Sequence, residues 1–198
     1  MPRGVARDHA EKRAALRKGA ARHFAEHGFD RASMASVARA CGVSKALIYH
    51  YHDSKEALLF DILNDHLTTL AEAVDTAALA DQPPDQRLRA TIRAILAAYE
   101  DADAEHKLQL DALGTLPETL QAPLIALQRQ ITGRMRAVIE AVAPDGVPAM
   151  PATMTVFGIL NWVYMWHRPG GPMSRNAYAE FAAEFILGGL QHMARPPD

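Results

Sequence analysis

At 198 residues, 49% hydrophobic and 22% charged, the chain has the composition of a soluble globular protein with a sizeable core, so disorder is not its default. Its formal net charge of −2 conceals an asymmetry: residues 1–55 carry 11 Lys and Arg against 5 Asp and Glu, the remainder 10 against 18, so only the first part suits a polyanion. The charged N-terminus is unlike a signal peptide, the stretch 154–166 is shorter than the roughly 20 residues of a membrane helix, and the lone Cys41 has no disulfide partner; a cytoplasmic protein without membrane, metal or cofactor is expected.

Apolar residues recur at spacings of three and four and nothing alternates as a strand does, so the fold class is all-α, with about nine helices. The first is expected over residues 8–27, with Leu16, Ala20 and Phe24 on one stripe and Gly28 as the left-handed cap. A short helix over 34–40 follows, capped by Ser33. After Cys41-Gly42-Val43, Ser44 caps a second short helix reaching about residue 51. Asp53 and Glu56 have the spacing of a capping box for a long helix to about residue 79, which Asp81-Gln82-Pro83-Pro84 ends. Further helices are expected near 85–103, 105–114, 117–142, 148–167 and 174–194. Residues 1–55 are assigned to a DNA-binding domain and 56–198 to a helical ligand-binding and dimerisation domain.

Residues 34–53 carry the pattern of a helix-turn-helix. Two short helices crossing steeply need a small residue at their contact and a residue tolerating positive φ in the turn, and Ala38 and Gly42 supply these. Val37 and Val43 flank them, and Ile48 anchors the second helix. A structural αα-corner could carry the same glycine, but it would not need the basic flank. With the second helix in a major groove, Lys45, Ala46, Leu47, His50 and Tyr51 face base edges. Ser33, Tyr49 and Lys55 can hold phosphates; the alternatives are that Ser33 only caps, Tyr49 only packs and Lys55 is solvated.

The stretch HFAEHGFDRASMASVARACGVSKALIYHYHDSKEALL, with GFD, GVSK, Tyr49 and SKEALL together, resembles the DNA-binding domain of TetR-family repressors. That resemblance implies a homodimer on double-stranded operator DNA, released by a small-molecule effector. It makes Ser33, Tyr49 and Lys55 phosphate contacts. His52 stands where such proteins usually carry Phe or another apolar residue, and is either a pH-sensitive departure or a partly buried histidine with a hydrogen bond.

Dimer candidates are Phe181, Phe185, Ile186 and Leu190 on the last helix, plus one face of 154–166; Gly188 and Gly189 either permit close helix approach or mark a frayed C-terminal turn. The segment NWVYMWHRPGGP is similar to a subgroup of that family controlling lipid, steroid or aromatic-acid catabolism, some members of which sense acyl-CoA. Met135, Phe157, Trp162, Met165, Trp166 and Arg168 are the candidate lining of a pocket for an acyl-CoA or another hydrophobic acid, with core or interface as the alternative for the aromatics. Arg129, Arg134 and Arg136 are further cations for its phosphates, or solvated helix-face residues. Cys41, Met150 and Met154 are read as packing residues.

Two other classes compete: a helical enzyme and a helical interaction module without DNA binding. His50 and His52, two apart on a helix, cannot chelate one metal, and no P-loop, dinucleotide fingerprint, nucleophile elbow or HExxH motif occurs. The enzyme reading is therefore set aside, and the interaction module is distinguished by predicting no salt-dependent DNA affinity.

Overall fold

A computed structural model describes residues 3–193, with side chains from Glu11 onward. Each of the nine expected segments is helical, one of them in two pieces: α1 Arg3–His27, α2 Met34–Ala40, α3 Lys45–Tyr51, α4 Lys55–Ala78, α5 Pro84–Ala98, α6 Asp103–Asp111, α7 Glu118–Val142, α8 Ala149–Asn161, α9 Val163–Trp166 and α10 Arg175–Met193. A 3-10 turn, Leu113–Thr115, follows α6.

The chain divides into two compact units. The first holds residues up to His66 together with Asp101–Leu124; the second holds Leu67–Glu100 and residues from Ile125 onward. This moves the boundary expected at residue 55 into α4, and it brings α6 into the N-terminal unit. The reason is visible in the packing: Leu58, Leu59, Ile62 and Leu63 of α4 are all fully buried, and Asp61 is ion-paired to α1.

In the first unit the expected stripe Leu16, Ala20, Phe24 is buried, and Phe29 meets Phe24 edge-on at 5.3 Å between ring centres. A β-carbon on Gly19 would stand 2.7 Å from Cys41 Sγ, so α1 meets the end of α2 through a residue with no side chain. Cys41 thus packs, and burial pushes its thiol up. Two lysines cross between α1 and α6: Lys18 donates to the Asp101 carbonyl at 2.7 Å and pairs with Glu105 at 3.0 Å, and Lys107 donates to the Ala25 carbonyl at 2.7 Å.

In the second unit Leu88, Ile92 and Ile95 of α5 are fully buried with Ile139 of α7 and Leu160 of α8. Arg89 pairs with Glu184 at 2.7 Å and Arg93 with Glu180, joining α5 to α10. Tyr99 Oη donates to Asn161 Oδ1 at 2.9 Å.

Three local expectations are corrected. Ser54, not Asp53, caps α4, its Oγ accepting the Ala57 N–H at 3.0 Å. The helix expected over 85–103 stops at Ala98, and Asp101, with φ of 58°, occupies the left-handed region that a continuing helix cannot pass. The helix expected over 148–167 breaks at Trp162 into α8 and α9.

Candidate nucleic-acid interface

The α2–turn–α3 segment is built by caps and one glycine. Ser33 Oγ accepts the Ser36 N–H at 3.1 Å while Ser36 Oγ accepts the Ser33 N–H at 3.0 Å, a reciprocal capping box. At the other end Gly42 has φ of +67°, and the Val43 N–H returns to the Ala38 carbonyl at 2.9 Å, closing the helix as a left-handed cap does. Ser44 Oγ then accepts the Leu47 N–H at 3.1 Å and starts α3. Val37, Ala38 and Ile48 are buried where the two helices meet.

With Ile48 inward, the opposite face of α3 is open. Lys45, Ala46, Tyr49 and His50 are exposed, and Leu47 and Tyr51 half-buried. The Lys45 ammonium lies 5.8 Å from the centre of the Tyr49 ring, and His50 meets Tyr51 edge-on at 5.3 Å. Ser33, itself exposed, stands at the start of α2 with its hydroxyl engaged in the cap.

Lys55 is half-buried rather than solvated. Its ammonium donates to the Phe29 carbonyl at 2.9 Å and the Asp30 carbonyl at 3.4 Å, and lies 4.3 Å from the centre of the Phe29 ring. It ties the start of α4 to the loop after α1, which is a structural role.

His52 is 5% exposed, and its Nε2 lies 2.9 Å from Asp61 Oδ2. Arg13 grips the same carboxylate, Nη2 to Oδ1 at 2.7 Å and Nε to Oδ2 at 3.2 Å. Arg17 approaches Oδ2 at 3.7 Å and binds Asp65 at 2.8 Å. Burial pushes the Asp61 carboxyl up, but the His52 hydrogen bond and the two guanidiniums outweigh it and hold the group below its ordinary value. Of the two expectations for His52, the buried, hydrogen-bonded histidine is the one observed; Asp61, Arg13 and Arg17 are not among the expected site residues. The signal was available: Arg13 and Arg17, like Asp61 and Asp65, are four apart, which puts each pair on one helix face.

The six residues expected to line an effector pocket differ in exposure. Met135 and Phe157 are buried, whereas Trp162, Met165 and Trp166 are 59%, 47% and 44% exposed, and Arg168 is exposed, its guanidinium near the Met165 and His167 carbonyls. The exposed aromatics continue as a surface ridge: Trp166 meets Tyr178 edge-on at 4.9 Å, and Tyr178, Phe181 and Phe185 follow in stacked succession. Arg134 is engaged by Asp75 at 2.7 Å and Arg136 by Glu140 at 2.8 Å, while Arg129 is exposed. Of the four dimer candidates on α10, Phe181 and Phe185 face outward, but Ile186 and Leu190 are buried within the protomer. Among the described residues no helix is long and apolar enough to cross a membrane.

Residues 16–62 match the family described as bacterial regulatory proteins, tetR family, and residues 81–190 match the tetracyclin repressor-like C-terminal domain. The transcriptional activator FasR of Mycolicibacterium smegmatis is 26% identical over 190 residues, covering 92% of this chain and 84% of that protein. A TetR-family regulator from Bordetella parapertussis superposes with a TM-score of 0.84 at 32% identity, covering 93% of this chain and 98% of that one. AibR, solved with isovaleryl coenzyme A and operator DNA, superposes with a TM-score of 0.75 at 25% identity, covering 90% of this chain and 97% of that one.

Proposed function

The chain belongs to the TetR family of transcription regulators, and from that premise we propose that it is a cytoplasmic repressor, held as a homodimer on a palindromic operator and released by a hydrophobic acid or its acyl-CoA thioester. The observation that carries this reading is the open face of α3, where a capped and buried scaffold presents Lys45, Ala46, Tyr49 and His50 together. Lys45 and His50 can donate to base-edge acceptors, and Ala46 and Leu47 offer apolar contact to a thymine methyl. Tyr49 Oη and the Ser33 hydroxyl are the phosphate contacts. Lys55 contributes by holding the scaffold.

A dimer is what two recognition helices need to meet half-sites roughly 34 Å apart. Its surface is the outward face of α8 and α10. There a groove of about 190 Å³, lined by Pro151, Thr155, Ile159, Phe185, Gly189 and Met193, is almost wholly apolar. Gly188 and Gly189 are exposed, with nothing of their own protomer within 4 Å of an added β-carbon, so a partner helix can approach.

The acyl-CoA reading is supported by AibR, which was solved with isovaleryl coenzyme A and operator DNA. Met135 and Phe157 remain the apolar lining candidates; the exposed Trp162, Met165 and Trp166 are reassigned to an interface. Effector binding in the second unit acts by displacing α4, and it must favour one spacing of the recognition helices over the other.

The test is a mobility shift with DNA selected by the wild-type protein. Tyr49→Ala should weaken binding about tenfold with an unchanged melting temperature, while Lys55→Ala should lower both. Undiminished binding by Tyr49→Ala removes that contact from the assignment. FasR favours activation as a second reading, and a promoter reporter in a deletion strain decides: expression rises for a repressor and falls for an activator.

A further inference from the structure

α3 has seven residues, two turns, and a helix that short is held by what pins it. Its first turn is fixed by the Ser44 cap and its inner face by the single buried side chain Ile48. At the far end Tyr51 is half-buried, its ring edge-on to His50 and tilted against His52. The residue closing that end is His52, whose backbone N–H bonds the Ile48 carbonyl at 3.0 Å and whose ring is buried against Asp61.

The facing group is a carboxylate, so Nε2 of His52 is the donor. Asp61 in turn is shared by Arg13 and Arg17 of α1, and Arg17 reaches on to Asp65. One side chain at the end of α3 is therefore joined to α1 and α4 through a single carboxylate. Nδ1 of His52 is buried with no hydrogen-bond partner, so the ring is placed at a cost that an apolar side chain would not carry. The one directed bond, Nε2 to Asp61, therefore fixes how the ring is oriented.

We propose that His52 is a positioning residue for DNA recognition: through Asp61 it sets the tilt at which α3 presents Lys45, Tyr49 and His50 to the major groove. This rests on the DNA-binding assignment of α3 given above. Specific binding needs that tilt, because base-edge hydrogen bonds fail with displacements well under 1 Å, whereas non-specific binding to phosphates tolerates it.

The experiment uses the full-length protein, a duplex selected by the wild type from a randomised pool, and a scrambled duplex of equal length. His52→Phe keeps an aromatic ring, somewhat larger, and removes the donor; it should bind the selected duplex about tenfold more weakly, change binding to the scrambled duplex less than about twofold, and remain folded with wild-type helical content. His52→Gln, whose amide can reach Asp61 as a donor, should recover most of the loss. In a double-mutant cycle with Asp61→Leu, whose side chain cannot accept the bond, the double variant should be no weaker than the poorer single one. Wild-type affinity in His52→Phe, equal losses on both duplexes, or additive losses in the cycle would each overturn the proposal. Failure of the wild type to select any duplex is a separate result, and would remove the DNA-binding assignment beneath it.

Discussion

His66 shows how one buried imidazole makes stability depend on acid. It is 6% exposed and meets His106 edge-on at 6.2 Å between ring centres. Burial first, then the charges of His106 and Lys18, push its pKa from the ordinary 6.5 down to about 4, against a hydrogen bond with Gln109 that acts the other way. In the unfolded chain His66 takes up its proton near pH 6.5, so its contribution is complete above that pH and is lost as pH falls toward 4, a change on the order of 3 kcal/mol. Asp61 titrates in a different window: its carboxyl is held below the ordinary 3.8, so its contribution persists until pH falls beneath that value. Urea midpoints measured between pH 7 and 4.5 should therefore fall for wild type and fall distinctly less for His66→Leu. Parallel slopes for the two proteins would contradict this assignment.

At the scale of elements, helix ends decide where the recognition helix stands. Ser33, Ser44, Ser54 and Ser174 each accept an N–H from the third residue on, starting α2, α3, α4 and α10. Asp53 also has the residue type of a cap, but the chain places Ser54 in that position. Ser54→Ala should cost about 1 kcal/mol, and Asp53→Ala much less, as read from denaturant midpoints. The reverse order would restore the capping box expected from the Asp53 and Glu56 spacing. The division at Trp162 has a larger effect: it ends α8 early and turns α9 so that Trp162, Met165 and Trp166 lie outside the core.

For the whole molecule the charge division and the aromatic ridge matter most. Residues 1–55 carry the positive excess and the rest the negative one, so operator affinity should fall steeply with salt, as counterion release requires. Phe181 and Phe185, 57% and 66% accessible, belong to an exposed apolar ridge of the kind that marks an interaction surface. Phe185→Glu should yield monomers by sedimentation while retaining helical content, and should weaken binding to a two-half-site operator at least about tenfold, because linked half-sites are lost. A variant that remains dimeric would place the interface elsewhere.

Leu47 and Tyr51 are half-buried against expectation, but the all-α class, the helix-turn-helix at residues 34–53, the αL turn at Gly42 and the outward placement of Lys45, Ala46 and His50 on α3 were legible in the sequence. These follow from interactions between residues three to six apart: caps, glycine conformation and the 3.6-residue period. Tertiary structure decided that α6 and the start of α4 join the N-terminal unit, that Lys55 holds Phe29 and Asp30, that His52 meets Asp61, and that the aromatics of α9 face outward. Those outcomes depend on which helix faces dock across separations such as the 48 residues between Arg13 and Asp61, and no local period encodes that choice.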